Sequence, residues 1–565
     1  LLDTPGCKIP NYDPFAIGIV AYAENLTRNH KVCRRRDPPV VFQDTSIPIL
    51  DEVRLRKLYG ISTSNVSCYY AKITRNESAM PPDDSFSVGP EFPITFGMRL
   101  DLEFIKIRCF LKQTEFYHGF HLIPQLKRTR MVTAGDQMNV LILGMDSVSR
   151  LNMIRRMPRS RKFVLESMEA FELLAYNKVG ENTFPNLMPL LSGHSGEEVT
   201  SMTRNRTFDD IPFLWNHFKR KGYRTVFMEE MPRWSLFIHP SRQGFRRKPT
   251  DYYPFPIVKA IGEFDQKQSG CMGTRLISEI YLDYIAELII LMRSRRFLVF
   301  LWLADWSHED MNTAGVMDDP LKHFLKRLHA MAVFSHTALF FLSDHGMRHG
   351  QFRNTPLGAH EVNLPFFLLS LPDWFKAKFP SVVESLRVNR HRLTTPYDIH
   401  ATIKSLASLP EFDPRGTGRG LNLFRQIPPW RTCGEALIPT QFCSCERAEE
   451  RLEDNSTAHP YALFGLAFIN AEAQRHFPGK CVTWSLDVVT DAAIMRGSVT
   501  RIRWFRVTLT TVPKAHFQVF GTVQLNGRNK GSRVEFVERL DWYSNWTRCL
   551  PPSTSQKLCM CKEGV

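Results

Sequence analysis

The sequence has no long uninterrupted apolar run. A transmembrane helix needs roughly 18 to 20 consecutive apolar residues, and the nearest candidate, residues 286–302, is interrupted by Arg293, Arg295 and Arg296. The chain also lacks a charged-then-apolar leader, an internal repeat and a low-complexity segment. We therefore expect a mature or trimmed soluble portion, with any membrane anchor upstream of Leu1.

Cysteine is nearly absent from the middle of the chain. Cys271 is the only cysteine between Cys109 and Cys433, and four cysteines lie before it and seven after it. An even total, together with six glycosylation sequons, is typical of an oxidising secretory compartment. The sequons begin at Asn25, Asn65, Asn76, Asn205, Asn455 and Asn545. We expect a secreted protein, or the lumenal or extracellular part of a membrane-anchored one.

The same distribution gives a disulfide prediction. If the four N-terminal cysteines pair among themselves, Cys271 has to pair with one of the seven C-terminal cysteines. Cys433 is the preferred partner because it begins the C-terminal group.

Acidic residues are too few to balance the basic ones. The formal net charge is +16, which favours attraction to anionic membrane or glycan surfaces. No nucleic-acid-binding motif with regularly spaced stacking aromatics is present, so we expect no nucleic-acid partner.

Three regions differ in their patterns. Residues 1–130 are a cysteine-stapled N-terminal region with short alternating segments. Residues 131–428 alternate apolar strands with amphipathic helices, which predicts an α/β fold with a doubly wound, mostly parallel sheet. Residues 429–565 carry β-branched runs and seven cysteines, which predicts a small disulfide-held β or α+β cap.

Candidate functional residues follow two apolar runs of the middle region. Asp146 comes just after residues 139–144 (NVLILG), and Asp344 and His345 come just after residues 337–342 (TALFFL). Because ligands bind outside the carboxyl ends of the strands in parallel sheets, both motifs lie where chemistry is expected.

Other chemistry-bearing residues lie in the same order along the chain. Thr183 offers a nucleophilic hydroxyl, and Asp305 and His308 follow another apolar strand. Mixed carboxylate and imidazole ligands suit zinc, whereas calcium and magnesium prefer oxygen ligands alone. These residues predict a metal-assisted ester-cleaving centre.

This order of motifs resembles the alkaline phosphatase superfamily, which includes sulfatases, nucleotide pyrophosphatase/phosphodiesterases and phosphoethanolamine transferases. More narrowly, residues 144–150 (GMDSVSR), 249–253 (PTDYY), 343–346 (SDHG) and 393–400 (LTTPYDIH) resemble a branch of uncharacterised animal proteins, the domain-of-unknown-function 229 branch. The similarity extends from about residue 100 to 565. It implies an alkaline-phosphatase-like fold, a site for two divalent metal ions and a covalent intermediate on a threonine. Zinc is the expected metal, ahead of calcium or magnesium.

The resemblance also implies roles for individual residues. Asp146, Asp344 and His345 would bind one metal, with Thr183 as the nucleophile and a ligand beside it. The second metal would take His308.

The remaining ligands of the second metal would be Asp305 and a later histidine. His360 is the preferred histidine and His400 is its rival. Asp305 and His308 are three residues apart, whereas the superfamily usually separates the pair by four. A one-metal or partly degenerate centre therefore stays open.

The expected function is a metal-dependent phosphoester hydrolase or phosphotransferase. Its substrate would be an anionic phosphoester, which a lipid or a glycan can carry. Sulfuric ester hydrolysis is a weaker alternative, because sulfatases have a cysteine or serine at the Thr183 position and an arginine soon after Pro185. A binding or structural ectodomain that kept the fold and lost turnover is the alternative from another class.

Overall fold

A computed structural model describes most of the chain. The described residues are 1–20, 22, 33, 36–127, 138–239, 242–264, 270–409, 418–446, 449–452, 455–495, 502–524 and 532–562.

The centre of the molecule is a six-stranded, mostly parallel sheet. Its strands lie in the order Phe171–Glu172, Phe367–Ser370, Thr337–Ser343, Asn139–Met145, Phe297–Leu303 and Arg224–Glu229. The last four are parallel to one another, and Phe367–Ser370 runs antiparallel to Thr337–Ser343. The strand order jumps along the sequence, as expected when helices connect parallel strands.

Both faces of the sheet are covered by helices, which explains why its central strands are apolar throughout. All seven residues of Asn139–Met145 are buried. Leu141 and Leu143 face one hydrophobic core, shared with helices Ile277–Leu291 and Asp318–Ala330. Val140 and Ile142 face a second core on the opposite side. A strand buried on both faces reads as a continuous apolar run, and the predicted doubly wound α/β fold is confirmed.

The second core is formed with helices Thr183–Ser192, Leu214–Arg220 and Pro396–Leu406. The other helices of this region are Arg150–Arg156, Pro158–Lys162, Gly196–Met202, Phe255–Phe264, Pro356–Glu361, Asp373–Lys378 and Pro380–Asn389. Two small pairings, Ala175–Tyr176 with Leu393–Thr394 and Cys271–Met272 with Arg275–Leu276, complete it.

The N-terminal region contains a four-stranded antiparallel sheet. Its order is Phe86–Pro93, Val66–Arg75, Phe104–Leu111 and Thr114–Leu122. Two short hairpins, Leu2–Thr4 with Cys7–Ile9 and Val40–Gln43 with Ile47–Leu50, precede it, as do the helices Ile17–Val20 and Glu52–Arg54.

The C-terminal domain, residues 449–562, is α+β. Helix Asn455–His476 packs on a five-stranded antiparallel sheet whose order is Glu449–Arg451, Ser485–Met495, Ile502–Val512, His516–Gln524 and Arg533–Arg539. The helix and the sheet share a hydrophobic core of their own.

The disulfides correct the predicted pairing. Cys271 is bonded to Cys33, not to Cys433, and Cys7 is bonded to Cys445 across 438 positions. The other bonds are Cys68–Cys109, Cys433–Cys443, Cys481–Cys559 and Cys549–Cys561. The prediction failed because the N-terminal segment returns to the middle and C-terminal parts of the chain, a tertiary contact that cysteine spacing does not encode.

In the described part of the chain, no helix is both long enough and apolar enough to cross a membrane.

Candidate active site

Asp146 occupies a sharp turn at the carboxyl end of the central strand Asn139–Met145. Its backbone N–H donates to the Leu303 carbonyl at 2.9 Å. The next residue, Ser147, has a φ of 62°, which is uncommon for a residue with a side chain. This turn lets the Ser147 hydroxyl donate to Asp146 Oδ1 at 2.6 Å and directs its backbone N–H towards Asp344. Asp146 is therefore held by the neighbouring strand and by its own turn.

Asp344 and His345 follow the adjacent parallel strand and reach the same place. Asp344 Oδ1 accepts hydrogen bonds from the backbone N–H groups of Ser147 at 3.1 Å and His345 at 2.9 Å. Asp344 Oδ2 is buried and has no hydrogen-bond partner in the described structure. A buried carboxylate oxygen without a donor is costly, so this oxygen is suited to bind a cation.

The three residues form a compact ligand group. Potential ligand atoms of Asp146, Asp344 and His345 all lie within 4.8 Å of one another. His345 Nε2 is 3.2 Å from Asp344 Oδ2 and 3.9 Å from Asp146 Oδ1. All three side chains are buried.

The hydrogen bonding of His345 determines which ring nitrogen faces the carboxylates. Its Nδ1 lies 2.8 Å from the Gly346 carbonyl, and because a carbonyl only accepts, Nδ1 carries the proton. Burial is the main cause that lowers the pKa of His345 to about 3, so the ring is neutral. Its Nε2 lone pair therefore faces a carboxylate oxygen, a repulsive arrangement that a metal ion between them would relieve. A histidine whose second nitrogen donates to a carbonyl is the usual arrangement at metal sites.

The electrostatics of the two aspartates agree with this assignment. The pKa of Asp146 is raised, first by burial and then by the negative charge of Asp344. Burial also raises the pKa of Asp344, although hydrogen bonds from neighbouring groups oppose the shift. Two buried carboxylates and a neutral imidazole nitrogen are a donor set that fits a divalent cation.

Thr183 is the first residue of helix Thr183–Ser192 and lies beside this group. Its hydroxyl donates to Asp146 Oδ2 at 3.2 Å, and the residue is partly exposed. Backbone N–H groups in the first turn of a helix have no partner within the helix and attract anions. The hydroxyl thus lies between a carboxylate and a helix terminus suited to an anionic substrate.

The segment before Thr183 is fixed by Asn186. The Asn186 side-chain oxygen accepts from the backbone N–H groups of Val179 at 2.7 Å and Gly180 at 2.9 Å, and its nitrogen donates to the Gly180 carbonyl at 3.0 Å. Asn186 is buried, and its side chain therefore fixes the turn that leads into Thr183.

His308 follows the end of strand Phe297–Leu303 by five residues. His308 is one of the groups whose electrostatic influence lowers the pKa of Asp146, against the larger effect of burial, which raises it. The ring stacks on Trp234 with centroids 3.9 Å apart, and its buried Nδ1 has no hydrogen-bond partner among the described residues. The stacking on Trp234 therefore fixes the plane of the His308 ring.

His349 is a further candidate residue that the sequence interpretation missed. The ring is half-buried, and its pKa is lowered first by burial and then by the positive charge of Arg348. Its buried Nδ1 has no hydrogen-bond partner in the described part of the chain. Its position four residues after His345 is the sequence feature that could have indicated it.

Three predicted ligands lie elsewhere. Asp305 lines a neighbouring cavity of about 490 Å³ together with Glu230. His360 packs edge-on against Tyr12, with ring centroids 4.6 Å apart. His400 Nδ1 donates to the Leu190 carbonyl at 3.0 Å. The structure therefore brings Asp146, Thr183, Asp344 and His345 together, and the described group of ligand atoms within 4.8 Å of one another does not include Asp305, His308, His360 or His400.

Comparison with known proteins identifies a family. The sequence pattern of a family described as "Protein of unknown function (DUF229)" matches residues 28–490. Among curated protein sequences, none matches the chain.

Several solved structures are similar at low identity. A sulfatase from Pseudoalteromonas sp. has a TM-score of 0.35 and 12% identity, covering 70% of this chain and 86% of that chain. A protein in the alkaline phosphatase superfamily from Vibrio parahaemolyticus has a TM-score of 0.35 and 10% identity, covering 75% and 86%. The lipoteichoic acid synthase LtaP from Listeria monocytogenes has a TM-score of 0.32 and 9% identity, covering 67% and 86%.

Proposed function

The chain belongs to the DUF229 family of proteins of unknown function, and we propose that it is a metal-dependent phosphoester hydrolase or phosphotransferase with Thr183 as its nucleophile. The observation that carries this proposal is the unpartnered pair formed by Asp344 Oδ2 and the lone pair of His345 Nε2, 3.2 Å apart. A partly exposed hydroxyl donates to the third member of the same group, Asp146. Nucleophile and ligand group therefore share one site.

The proposed metal is zinc, held by Asp146, Asp344 and His345 with Thr183 beside them. When bound, zinc would act as a Lewis acid on a phosphoryl oxygen and favour the ionised form of a neighbouring hydroxyl. For the expected second ion, His308 is one ligand. For the later histidine we propose His349 in place of His360, because the buried Nδ1 of His349 has no hydrogen-bond partner among the described residues, whereas the His360 ring packs against Tyr12.

Thr183 would form the bond to phosphorus. Its oxygen forms a bond to phosphorus as the bond from phosphorus to the ester oxygen breaks, and a phosphorylated threonine results. The hydroxyl proton passes to Asp146 Oδ2, and the ester oxygen leaves as an alcohol after taking a proton from solvent. The hydroxyl proton already points at Asp146 Oδ2. The first turn of the helix directs backbone N–H groups at the phosphoryl oxygens. Transfer of the phosphoryl group to water completes a hydrolase cycle, and transfer to another hydroxyl completes a transferase cycle.

The substrate proposed is an anionic phosphoester, carried by a lipid or a glycan. The net charge of +16 favours anionic membrane or glycan surfaces as its setting. The disulfides and sequons favour an extracellular or lumenal location.

A substrate panel tests the proposal against its alternatives. The purified, metal-stripped protein is assayed with zinc, manganese, magnesium or calcium on 4-nitrophenyl phosphate, bis(4-nitrophenyl) phosphate and 4-nitrophenyl sulfate. We expect metal-dependent release of nitrophenol from a phosphate substrate. Turnover of the sulfate alone would favour a sulfuric ester hydrolase, and no turnover with any metal would favour a binding ectodomain.

Two variants of Thr183 sharpen this assay. Thr183→Val keeps the shape of the side chain but lacks the hydroxyl, so kcat should fall by about 10³-fold or more. Thr183→Ser keeps a hydroxyl and serves as the matched control, with a smaller loss. Equal activity of the valine variant and the wild type would contradict the assignment of the nucleophile.

A further inference from the structure

The C-terminal domain reaches the two loops that carry the reaction centre. Lys557 Nζ lies 2.6 Å from Glu181 Oε2, and Arg348 Nη2 lies 3.1 Å from Glu181 Oε1. Each oxygen of one carboxylate thus accepts a charge-assisted hydrogen bond from a different part of the chain. The three side chains retain only 14% (Lys557), 13% (Arg348) and 19% (Glu181) of their exposure.

These residues lie close in sequence to the proposed nucleophile and to a proposed metal ligand. Glu181 precedes Thr183 by two residues, and Arg348 follows His345 by three. Lys557 lies in a short 3-10 helix, Thr554–Leu558. One carboxylate therefore joins the turn that leads into Thr183 (the nucleophile turn), the loop that follows His345 (the ligand loop) and the C-terminal domain.

Lys557 is itself held in place. Its ammonium group lies 4.8 Å from the centre of the Phe536 ring, and Phe536 packs edge-on against Phe442 at 5.3 Å. An exposed ion pair with two mobile partners contributes little, but here the lysine is packed against an aromatic ring and the carboxylate is bonded on both oxygens. These contacts therefore hold the Lys557 ammonium group and the Glu181 carboxylate in fixed positions relative to each other.

The ligand loop contacts the same domain at further points. Arg353 Nη2 lies 2.9 Å from Glu538 Oε2, with both side chains only 4% exposed. The Gly350 backbone N–H donates to the Leu540 carbonyl at 3.3 Å. The His349 ring lies 4.7 Å from that of Trp542. The C-terminal domain therefore contacts the loop after His345 at several points. It contacts the nucleophile turn through the ion pair of Lys557 with Glu181.

We propose that Lys557 is a positioning residue of the reaction centre, which acts through Glu181 and Arg348 to set the distance between the Thr183 hydroxyl and the His345 ring. Its kinetic consequences rest on the proposed phosphoester activity. Small displacements of reacting groups cost large factors in rate, so the effect falls on kcat more than on KM.

The kinetic test compares three lysine variants with the preferred phosphate substrate. Lys557→Met should lower kcat by about 10-fold to 100-fold while KM changes by less than about 3-fold. Lys557→Arg keeps the charge and should retain most of the activity. Lys514→Met, in the exposed turn between strands Ile502–Val512 and His516–Gln524, is the control and should match the wild type.

A double variant tests whether the lysine acts through Glu181. Glu181→Gln should lower kcat as Lys557→Met does, and the two changes together should lower it by much less than the product of the single effects. Wild-type kcat in Lys557→Met, or effects that simply multiply in the double variant, would overturn the proposal.

Hydrogen–deuterium exchange measures, without any substrate, whether Lys557 stabilises the nucleophile turn and the ligand loop. Lys557→Met should increase exchange in peptides covering residues 178–187 and 345–353, and Lys514→Met should not. If the wild type has no phosphoester turnover, the proposed function fails, while this measurement still decides the positioning role. Unchanged protection of both peptides in Lys557→Met would overturn it.

Discussion

Replacement of Asp344 by asparagine should remove the stabilisation that a metal ion gives to the protein. Asp344 Oδ1 accepts two backbone hydrogen bonds, which an asparagine oxygen can retain. Oδ2 has no partner in the described structure and lies 3.2 Å from His345 Nε2. An amide nitrogen at that position can donate to the imidazole lone pair, so Asp344→Asn should fold and be at least as stable as the wild type without metal.

The magnitude follows from linkage. A ligand that binds only the folded state at 100 times its dissociation constant stabilises it by about 2.7 kcal/mol. If the whole chain of 565 residues unfolds as one unit, that corresponds to a rise in Tm of roughly 2 °C. The assay is thermal unfolding of metal-stripped protein, followed by circular dichroism during a zinc titration. The variant replaces a charged ligand by a neutral one, and its Tm should respond by less than about 1 °C under the same conditions.

Asp305→Asn provides the control, because Asp305 lines the neighbouring cavity. Its Tm should rise with zinc as much as that of the wild type. An equal response of Asp344→Asn and the wild type would refute the assignment of Asp344 as a ligand. If Asp305→Asn instead lost the rise in Tm with zinc, the metal would bind at the cavity that Asp305 lines.

Two further predictions concern the neighbourhood of the site. Burial alone would raise the pKa of Glu538, but the positive charges of Arg353 and other cations lower it from 4.5 to about 2. Glu538 therefore contributes stability above pH 4.5 that is lost as the pH falls towards 2, and Glu538→Gln should cost about 3 kcal/mol at pH 7. Urea unfolding at pH 7 and pH 3 should show a smaller loss of stability on acidification for the variant; equal losses would contradict this. Gly346→Ala should lower the affinity for zinc, because the added Cβ would clash with the Glu361 carbonyl oxygen and displace the loop that carries His345. Calorimetric titration with zinc measures this affinity, and a wild-type value would contradict the prediction.

The central sheet and the grouping of Asp146, Asp344 and His345 were predictable from the sequence. Asp146 and the pair Asp344–His345 directly follow apolar runs, and parallel strands bring their carboxyl ends to one edge of the sheet. The direction of a side chain in a loop is not encoded in this way. The backbone N–H of Asp305 donates to Glu230 Oε2 at 3.0 Å, and this contact with the next strand directs the loop towards the cavity.

Long-range contacts account for the other failures. Cys7 meets Cys445 across 438 positions, and no local pattern reports such a return of the chain. His349 lies on a loop that packs against Trp542 of the C-terminal domain, a contact visible only after folding. Features that depend on one strand and its turn were predicted, and features that depend on two distant segments were not.

The most direct test of the account is to look for phosphate on Thr183. The zinc-loaded protein is mixed with a turned-over phosphate ester and quenched in acid within one turnover, and the tryptic peptide spanning residues 179–204 is sequenced by mass spectrometry. The account predicts a phosphorylated Thr183 in the wild type and an unmodified peptide in Thr183→Val. An unmodified wild-type peptide during active turnover, or phosphate on another residue, would contradict it.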